Sequence, residues 1–469
     1  MRLRKNQNQH LYSTPLKTPD NTMNIEICTI GGYNEVGKNM TAIKIDEEVI
    51  LCDMGIYLPP IVSLQQQDDT GEKYVPSTQQ LVKIGAIPDD SVIEDWKDKV
   101  KAIVLGHAHL DHIGAVQYLA AKYRVPIIGS PYSLQVLKSI LEDEDIILPN
   151  KLMPTALDKK IKLTENISLE LISISHSTLQ CSLVALHTKK GVIMYATDFK
   201  LDNNPIIGSK PNYKRLRELE NQVLLCICEC LYAPKEIKTP SESVAREMLK
   251  DVLLGVDNEG KAIFVTTFAS HLPRIRSVLD FAKRLNRKAV ILGRSMHRYI
   301  KAAEKLNLIH YSKEAQVIPY RRDVEKKLRE IEKRRDKYLV LCTGNQGEPG
   351  SILDKIVNKK LHFTFKEEDH IVFSCNTIPA EINIANRAAL ENQLKKMKVR
   401  IFTSIHVSGH SGREDLRDFI TMLKPKHLIP CHGEPTMEGA FNELAQEMGY
   451  VTGKNVHIMK DGEKLKLTF

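Results

Sequence analysis

The sequence predicts an α/β protein in which a domain with a parallel sheet is inserted into a strand-rich domain. Three apolar runs, at 261–267, 288–293 and 338–344, are each followed by a helical segment, which is the βαβ rhythm of a parallel, Rossmann-like sheet. Before and after this region, short strand–loop units end in histidines. One domain interrupted by another explains this order more simply than three independent domains.

The predicted boundaries follow these changes of pattern. Residues 1–23 are basic and polar and lack the apolar segment of a secretory signal, so we expect a disordered leader. The histidine-bearing domain is predicted over residues 24–232 and 365–469, and the inserted domain over residues 233–364.

Short apolar runs predict the strands of the first part, at 25–32, 41–55, 101–109, 168–175, 181–187 and 191–196. A polar stretch at 64–80 predicts a surface loop. Apolar residues at helical spacing, namely Ile113, Val116, Leu119 and Ala120, predict a helix directly after a histidine-rich turn.

The composition favours a polyanionic partner. The net charge is +9 at pH 7 and the pI is about 8.9, although a basic surface kept for solubility explains both values equally well. No apolar run approaches the roughly 20 residues that cross a bilayer. The nine cysteines include no CxxC pair, which predicts small buried side chains in a reducing compartment. We therefore expect a cytoplasmic protein without a membrane partner.

The segment Gly-His-Ala-His-Leu-Asp-His at 106–112 predicts a dinuclear metal site. His107 and His109 stand two residues apart at the end of a strand, so both side chains can face one ion. Asp111 and His112 follow where the helix begins and can face a second ion. Imidazole and carboxylate ligands together suit zinc or manganese, and two such ions clamp a phosphate during its hydrolysis.

One turn cannot complete two coordination spheres, so further ligands must come from other strands. His176, Asp198 and His432 each follow an apolar strand and would reach a common rim. Asp198 is the natural bridging carboxylate, since one ligand usually spans both ions of a dinuclear site. Histidines without this context are predicted to be surface or structural residues, namely His10, His187, His297, His310, His362, His370, His427 and His457.

These residues together resemble the metallo-β-lactamase superfamily, and specifically its β-CASP nuclease branch, over about residues 24–469. Further motif residues of that branch fall on Asp53, Glu229 and His410. The resemblance implies an αββα sandwich with an inserted Rossmann-like β-CASP domain. It also implies a nuclease that uses two divalent metal ions. Zn²⁺ is the expected metal, and Mn²⁺ is the alternative.

Within this branch the sequence is most similar to the ribonuclease J family, especially its archaeal type. Five blocks carry the similarity: TTFASHLPRI at 266–275, GRSM at 293–296, CTGNQGEPGSIL at 342–353, HVSGHSGREDL at 406–416 and PCHGEP at 430–435. One block departs from the pattern. Residues 176–181 read HSTLQC where bacterial members carry HSIPDS, which puts the pocket chemistry near Gln180 and Cys181 in doubt.

The resemblance also implies a role for each residue of the predicted site. It implies one ion held by His107, His109, His176 and Asp198, and another held by Asp111, His112, Asp198 and His432. Asp53 and Glu229 are expected to orient ligand histidines through their second ring nitrogen. Asp111 is in addition a candidate acceptor for the proton of the attacking water. His410 is placed to contact the scissile phosphate or to protonate the leaving group.

The family likeness implies 5′-to-3′ exonuclease action on single-stranded RNA, favoured by a 5′-monophosphate and sometimes accompanied by endonuclease cuts. Ser408, Gly409 and His410 have the chemistry of a phosphate pocket. Turns of the inserted domain offer further contacts to an RNA backbone, at Ser270, His271, Arg274, Arg294 and Ser295, although ordinary turns explain these residues too. The turn at 344–348 fits packing as well as RNA contact. A homodimer and partners in RNA decay are expected by likeness alone.

Four alternatives share part of this pattern. A β-CASP endoribonuclease of the 3′-end-processing type has the same motifs but not the HVSGHSGREDL and TGNQGEPGS blocks. A DNA-repair nuclease of the branch would degrade DNA at least as fast as RNA. A non-catalytic RNA-binding subunit would not need the complete ligand set. A small-molecule hydrolase shares the histidine turn but has no use for the inserted domain.

Overall fold

The computed structural model describes residues 22–67 and 76–469 of the chain. The predicted leader lies outside this part except for Thr22 and Met23, and so does the middle of the polar stretch predicted as a loop. Met23 is buried and exchanges two backbone hydrogen bonds of 2.9 Å with Phe469, so the ordered fold includes this residue.

The described residues form nineteen strands. In chain order they are β1 (Asn24–Gly31), β2 (Met40–Ile45), β3 (Glu48–Cys52), β4 (Val100–Leu105), β5 (Ile127–Gly129), β6 (Leu152–Pro154), β7 (Lys160–Lys162), β8 (Ser168–Ser173), β9 (Ser182–His187), β10 (Val192–Ala196), β11 (Val223–Glu229), β12 (Ile263–Thr266), β13 (Lys288–Leu292), β14 (Ala315–Ile318), β15 (Tyr338–Cys342), β16 (His370–Phe373), β17 (Arg400–Phe402), β18 (His427–Cys431) and β19 (Lys464–Thr468).

Fourteen α-helices connect these strands within the same part of the chain. They are α1 (Leu58–Gln67), α2 (Thr78–Lys83), α3 (Leu110–Ile113), α4 (Val116–Leu119), α5 (Pro131–Asp143), α6 (Tyr213–Glu218), α7 (Glu242–Leu254), α8 (Leu272–Arg284), α9 (Arg294–Lys305), α10 (Arg321–Lys333), α11 (Ile352–Val357), α12 (Glu381–Lys396), α13 (Arg413–Leu423) and α14 (Pro435–Glu447). Among the described helices, none has the length and apolar character needed to cross a bilayer.

Two sheets pack face to face and form the histidine-bearing domain. The first has the order β19-β1-β2-β3-β4-β5-β6, and the second the order β18-β11-β10-β9-β8-β7. Because side chains alternate along a strand, Ile25 and Ile27 face the second sheet while Cys28 and Ile30 face the helices outside. Helices α6, α13 and α14 cover the outer face of the second sheet. The αββα sandwich is thereby confirmed.

The chain leaves this sandwich and returns to it. After the inserted domain, β18 joins the second sheet in parallel with β11, and β19 joins the first sheet antiparallel to β1. Both late strands therefore complete sheets that the early part of the chain begins. This arrangement is the insertion that the order of sequence patterns indicates.

The inserted domain is a six-stranded sheet of order β14-β13-β15-β12-β16-β17, and every strand pair in it is parallel. The predicted boundary between residues 364 and 365 is wrong. Strand β16 pairs with β12, and β17 pairs with β16, so the sheet continues to Phe402. Helix α12 connects β16 to β17 and completes a further βαβ unit. From the local sequence pattern, we assigned this unit to the second part of the histidine-bearing domain.

The helix predicted after the histidine turn is broken into α3 and α4. Backbone hydrogen bonds dock this turn onto the segment after β3: Met54 N donates to His112 O at 2.8 Å, and Ala115 N donates to Met54 O at 2.8 Å. The amide of Ala115 is thereby used outside the helix, which interrupts the regular pattern. The same contacts bring the residues around position 53 beside His112.

Candidate metal centre

The predicted metal residues converge at one end of the sandwich because each follows the carboxyl end of a strand. His107 and His109 follow β4, His176 follows β8, Asp198 follows β10 and His432 follows β18. Asp198 and His432 have φ angles of 53° and 54°, in the left-handed region that residues other than glycine rarely adopt. Such strain, of the order of 1 kcal/mol each, is typical of residues held for function.

The first group of side chains surrounds one point. His109 Nδ1 lies 3.0 Å from His107 Nε2 and 3.1 Å from His176 Nε2. The carboxylate of Asp198 lies 3.5 Å from His107 Nε2 and 3.6 Å from His176 Nε2. Four ligands at about 2.0–2.1 Å from a tetrahedral zinc ion would lie roughly 3.3 Å from each other. The spacing of these donors therefore fits a bound ion.

The second group shares Asp198 with the first. His112 Nε2 lies 3.2 Å from Asp198 Oδ2 and 3.6 Å from Asp111 Oδ2. His432 Nε2 lies 3.5 Å from the other carboxylate oxygen of Asp198, Oδ1. This Oδ1 is buried, and no hydrogen-bond donor reaches it from the described residues. Asp198 Oδ2 therefore lies beside both groups and Oδ1 beside the second, and a buried carboxylate in this position is suited to bridge two cations.

Burial and neighbouring charges shift the pKa values of these histidines. Burial lowers the pKa of His109 to about 4 and holds the pKa of His107 and of His176 well below the usual value. These imidazoles are neutral at neutral pH, as metal binding requires. Burial also opposes the charging of His112, but the carboxylates around it outweigh burial and raise its pKa. The second group thus attracts positive charge.

Hydrogen bonds from outside both groups fix the rings. His112 Nδ1 donates to Asp53 Oδ2 at 2.7 Å, which leaves Nε2 facing the second group. Gly106 N and the Tyr195 hydroxyl donate to the same carboxylate, at 2.8 and 3.0 Å. His176 Nδ1 donates to Gly409 O at 2.7 Å. Such contacts orient metal-binding histidines and set their tautomer.

Glu229 holds His410 rather than one of the seven residues that form the two groups. His410 Nδ1 donates to Glu229 Oε2 at 2.6 Å, and the ring lies 5.1 Å from that of His176 and 5.5 Å from that of His432. Burial opposes protonation of His410, but the carboxylates of Glu229 and Asp198 outweigh it and raise its pKa to about 9. The imidazolium stands at the edge of the cluster with 18% of its side chain exposed.

Asn39, a residue that sequence reasoning missed, connects the two histidines of the second group. Its Nδ2 donates to Asp111 O at 3.0 Å and lies 3.2 Å from His112 Nε2. The amide is thereby oriented so that Oδ1 accepts from His432 Nδ1 at 3.0 Å, which leaves His432 Nε2 facing the cluster. Gly32 leaves room for this amide, since a Cβ at that position would lie 2.5 Å from Asn39 Oδ1.

We predict that Asn39→Ala weakens binding of the second divalent ion by about 10- to 100-fold, because His432 loses the acceptor that sets its tautomer. Asn150→Ala is a matched control, since Asn150 is also a buried asparagine but donates to Ala120 O and Val125 O, away from the cluster. Metal content after dialysis against graded chelator measures the effect. Equal retention of metal by the two variants would contradict this role of Asn39.

Arg274 does not serve as a contact to RNA, and this prediction is wrong. The guanidinium is fully buried and donates to both carboxylate oxygens of Glu242, at 2.6 and 2.9 Å. It also donates to Ser374 O at 2.8 Å and to Ile405 O at 3.1 Å. Arg274 therefore joins α7, α8 and the ends of two strands of the inserted sheet.

The other predicted RNA contacts fall into two places. His271 lines a small pocket together with His176, Gly409 and Lys200, while Ser270 behind it is largely buried. Arg294 and Ser295 are exposed at the start of α9. Ser408 Oγ accepts from His410 N at 3.0 Å and so shapes the loop above the metal residues.

The turn at 344–348 packs within the inserted domain. Gln346 Nε2 donates to Asn376 O at 3.0 Å, and its Oε1 accepts from Ile378 N at 2.7 Å. Both polar ends of this amide are thus used by the loop after β16. Of the two alternatives open for this turn, the contacts favour packing over RNA binding.

Comparison with protein families finds matches for three segments of the chain. Residues 260–393 match the family described as "Ribonuclease J, beta-CASP domain", and residues 78–165 match the metallo-beta-lactamase superfamily. Residues 395–459 match a "Zn-dependent metallo-hydrolase RNA specificity domain". Ribonuclease J of Methanocaldococcus jannaschii is 41% identical over 94% of this chain and 99% of its own length. The chain belongs to the ribonuclease J family.

Other relatives agree with this family. Ribonuclease J of Pyrococcus abyssi is 42% identical over 94% of this chain and 97% of its own length. Ribonuclease J of Helicobacter pylori strain J99 is 30% identical over 99% of this chain but only 63% of its own length. A crystal structure of a protein of unknown function from Enterococcus faecalis V583 is similar in fold, with a TM-score of 0.63 at 17% identity, and it covers 95% of this chain and 100% of its own.

Proposed function

We propose that the protein is a 5′-to-3′ exoribonuclease that degrades single-stranded RNA with two divalent metal ions, of which zinc is the preferred kind. The observation that carries this proposal is the pair of ligand groups that share Asp198 beside a small pocket. Membership of the ribonuclease J family already shows that the protein is a metal-dependent ribonuclease with a domain for RNA specificity.

The proposed ligands are the two groups described above. Bound divalent ions supply Lewis acidity that lowers the pKa of water and neutralises charge on the phosphate. Asp111 is proposed to take the proton of the attacking water, because its carboxylate is 28% exposed towards solvent while that of Asp198 is 2% exposed. The buried carboxylates Asp53 and Glu229 keep their histidines in position and do not touch substrate.

His410 is proposed to protonate the leaving oxygen or to bind the scissile phosphate. Its Nδ1 is occupied by Glu229, which leaves Nε2 for the substrate. Glu229 also accepts from Ser411 N at 3.2 Å and from Phe199 N at 2.9 Å, so the carboxylate itself is fixed. A positioned proton donor of this kind contributes about two to four powers of ten in rate.

The 5′ end is proposed to enter the pocket beside the metal residues. This pocket is lined by Ser177, Lys200, His271 and Gly409 as well as His176. Gly409 permits the close approach of the loop, since a Cβ there would lie 2.9 Å from His176 Cε1. Lys200, which pairs with Asp202 Oδ2 at 3.4 Å and donates to Pro240 O at 3.3 Å, is the cation of this pocket and is proposed to contact a terminal phosphate. Such a pocket would hold the first nucleotide while the next bond lies over the metal residues.

The setting of the reaction is also a proposal. All nine cysteines of the sequence are buried free thiols, and this supports a reducing compartment such as the cytoplasm. Partners in RNA decay and a homodimer are proposed from the family alone. Zinc is preferred over manganese because five of the seven ligand side chains are imidazoles.

A time course on 5′-labelled RNAs tests the proposal. RNAs that carry a 5′-monophosphate, a 5′-triphosphate or a 5′-hydroxyl are compared with a DNA of matched sequence. We expect labelled mononucleotide from the first product onward, fastest with the monophosphate. Discrete internal fragments without mononucleotide would replace the proposal with an endoribonuclease, and equal degradation of DNA would replace it with a DNA nuclease.

A further inference from the structure

The carboxyl edge of the inserted sheet runs outward from the pocket beside the metal residues. The strands along this edge are β12, β15, β13 and β14, in that spatial order. His271, which follows β12, lines the pocket. Neighbouring strands are about 4.8 Å apart, so the turn after β14 lies roughly 14 Å from the turn after β12. Ligands of parallel sheets bind along this kind of edge.

The turns at the outer end of this edge are joined to one another. Gly293 N, after β13, donates to Ile318 O, at the end of β14, at 3.0 Å. The turn after β15 leads into α11, where Ile352 N donates to Thr343 Oγ1 at 3.2 Å. Lys355 lies one turn further along α11, and its carbonyl accepts from Lys360 N at 2.7 Å. A Cβ at Gly293 would lie 3.4 Å from Thr343 Cγ2, so the turn after β15 adjoins the turn after β13 and the three turns form one surface.

This surface carries four cations and one aromatic ring. We call it the basic edge and define it by Arg294, Tyr320, Arg321, Lys355 and Lys360. Within the described part of the chain, no carboxylate lies within 4.0 Å of the charged groups of Arg294, Lys355 or Lys360, while Arg321 pairs with Glu325 at 3.1 Å. Tyr320 is 64% exposed. Burial and the charges of Arg321, Arg294 and Lys360 outweigh the opposing charge of Asp354 and lower the pKa of Lys355.

Three of the four cations, Arg294, Lys355 and Lys360, have no carboxylate within 4.0 Å among the described residues, and like charges gathered in this way are unfavourable unless a polyanion binds them. We propose that the basic edge binds the RNA strand several nucleotides downstream of the scissile bond. Cations that follow the backbone, with an exposed aromatic ring on which a base can stack, are the features of sequence-independent binding of single strands. This inference rests on the proposed function, because it requires RNA to enter the cleft at its 5′ end.

The basic edge therefore acts on long substrates and not on short ones. A strand of about three nucleotides is held by the pocket and the metal residues alone, whereas one of about 20 nucleotides also reaches the basic edge. Each phosphate contact on single-stranded nucleic acid contributes about −0.7 to the slope of log affinity against log salt concentration. Loss of three contacts thus changes this slope by about 2.

The test uses the triple variant Arg321→Gln/Lys355→Gln/Lys360→Gln. A matched control, Lys101→Gln/Lys189→Gln/Lys190→Gln, removes the same charge at the opposite end of the sandwich, where β4 begins and where β9 turns into β10. Affinity for an RNA of about 20 nucleotides is measured in chelator across a salt series. Turnover of this RNA and of an RNA of about three nucleotides is measured with metal.

We expect the triple variant to lose about 100-fold in affinity for the long RNA at about 0.1 M salt, with a slope shallower by about 2 and unchanged turnover of the short RNA. Tyr320→Ala should weaken binding of the long RNA without changing the slope. Wild-type affinity and slope in the triple variant would overturn the inference, and so would equal losses in the control. Failure of the proposed function would look different from failure of this inference, because the wild-type protein would then degrade neither the long nor the short RNA to mononucleotides.

Discussion

Replacing Asp198 with Asn is expected to reduce RNA hydrolysis by about three to four powers of ten. The carboxylate of Asp198 faces both ligand groups, and in the proposed mechanism its charge balances that of the two cations. Loss of a Lewis acid removes several kcal/mol of stabilisation from the transition state, and each 1.4 kcal/mol corresponds to about a factor of ten in rate. The substitution keeps the size of the side chain, so we expect RNA binding in chelator to change little.

Asp90→Asn provides the matched control for this prediction. Asp90 is also a buried aspartate that pairs with Lys122 and Tyr123, but it lies away from the cluster. Its replacement should lower the free energy of unfolding and leave metal content unchanged. Single-turnover rates and metal content are measured for both variants. If Asp198→Asn keeps two ions and more than about a tenth of the rate, Asp198 does not bridge them.

Replacing His410 with Ala is expected to slow hydrolysis by about two to four powers of ten without removing a metal ion. The ring is held by Glu229, belongs to neither ligand group and stands on the open side of the cluster. Its loss should therefore lower kcat at unchanged metal content. Glu229→Gln should give a smaller loss, because the ring remains but its orientation and charge are no longer fixed.

The control for His410 is His187→Ala. His187 is also paired with a glutamate, Glu170, at 2.7 Å, but it lies at the far end of β9. This variant should retain the wild-type rate. Asp198, Glu229 and His410 also lie close enough to form a third group of potential ligands. Loss of one ion in His410→Ala would therefore assign His410 as a metal ligand and contradict its role as proton donor.

The sequence predicted which side chains converge at the candidate metal centre because these residues lie at or just after strand ends. An apolar run defines where a strand ends, and a histidine or aspartate directly after it must reach the rim of the sheet. His176, Asp198 and His432 could be found in this way although they are distant from the histidine turn. Their assignment as ligands stays a prediction until metal is measured.

Asn39 and Arg274 show what this reasoning leaves out. Asn39 is an amide in a loop before β2, and only the fold reveals that it lies between His112 and His432. Arg274 lies in the first turn of α8, after β12, and Glu242 approaches from α7 and pairs with its guanidinium, which is fully buried. The direction and partner of a side chain depend on tertiary contacts that local spacing does not contain.

The misplaced boundary of the inserted domain has a similar cause. The run HIVF at β16 is apolar and short, and it would fit either domain. Its assignment depends on pairing with β12, more than a hundred residues earlier in the chain. Helix α12 was the available signal, because a helix between two short strands indicates a parallel crossover.

The central claim, that hydrolysis depends on two ions held by the groups that share Asp198, is tested most directly by returning metal to the metal-free protein. Bound Zn²⁺ or Mn²⁺ and the rate of RNA hydrolysis are measured in the same titration. We predict that the rate stays near zero through the first equivalent and rises with the second. A full rate in the metal-free protein, or one that is complete at a single equivalent, would contradict the account.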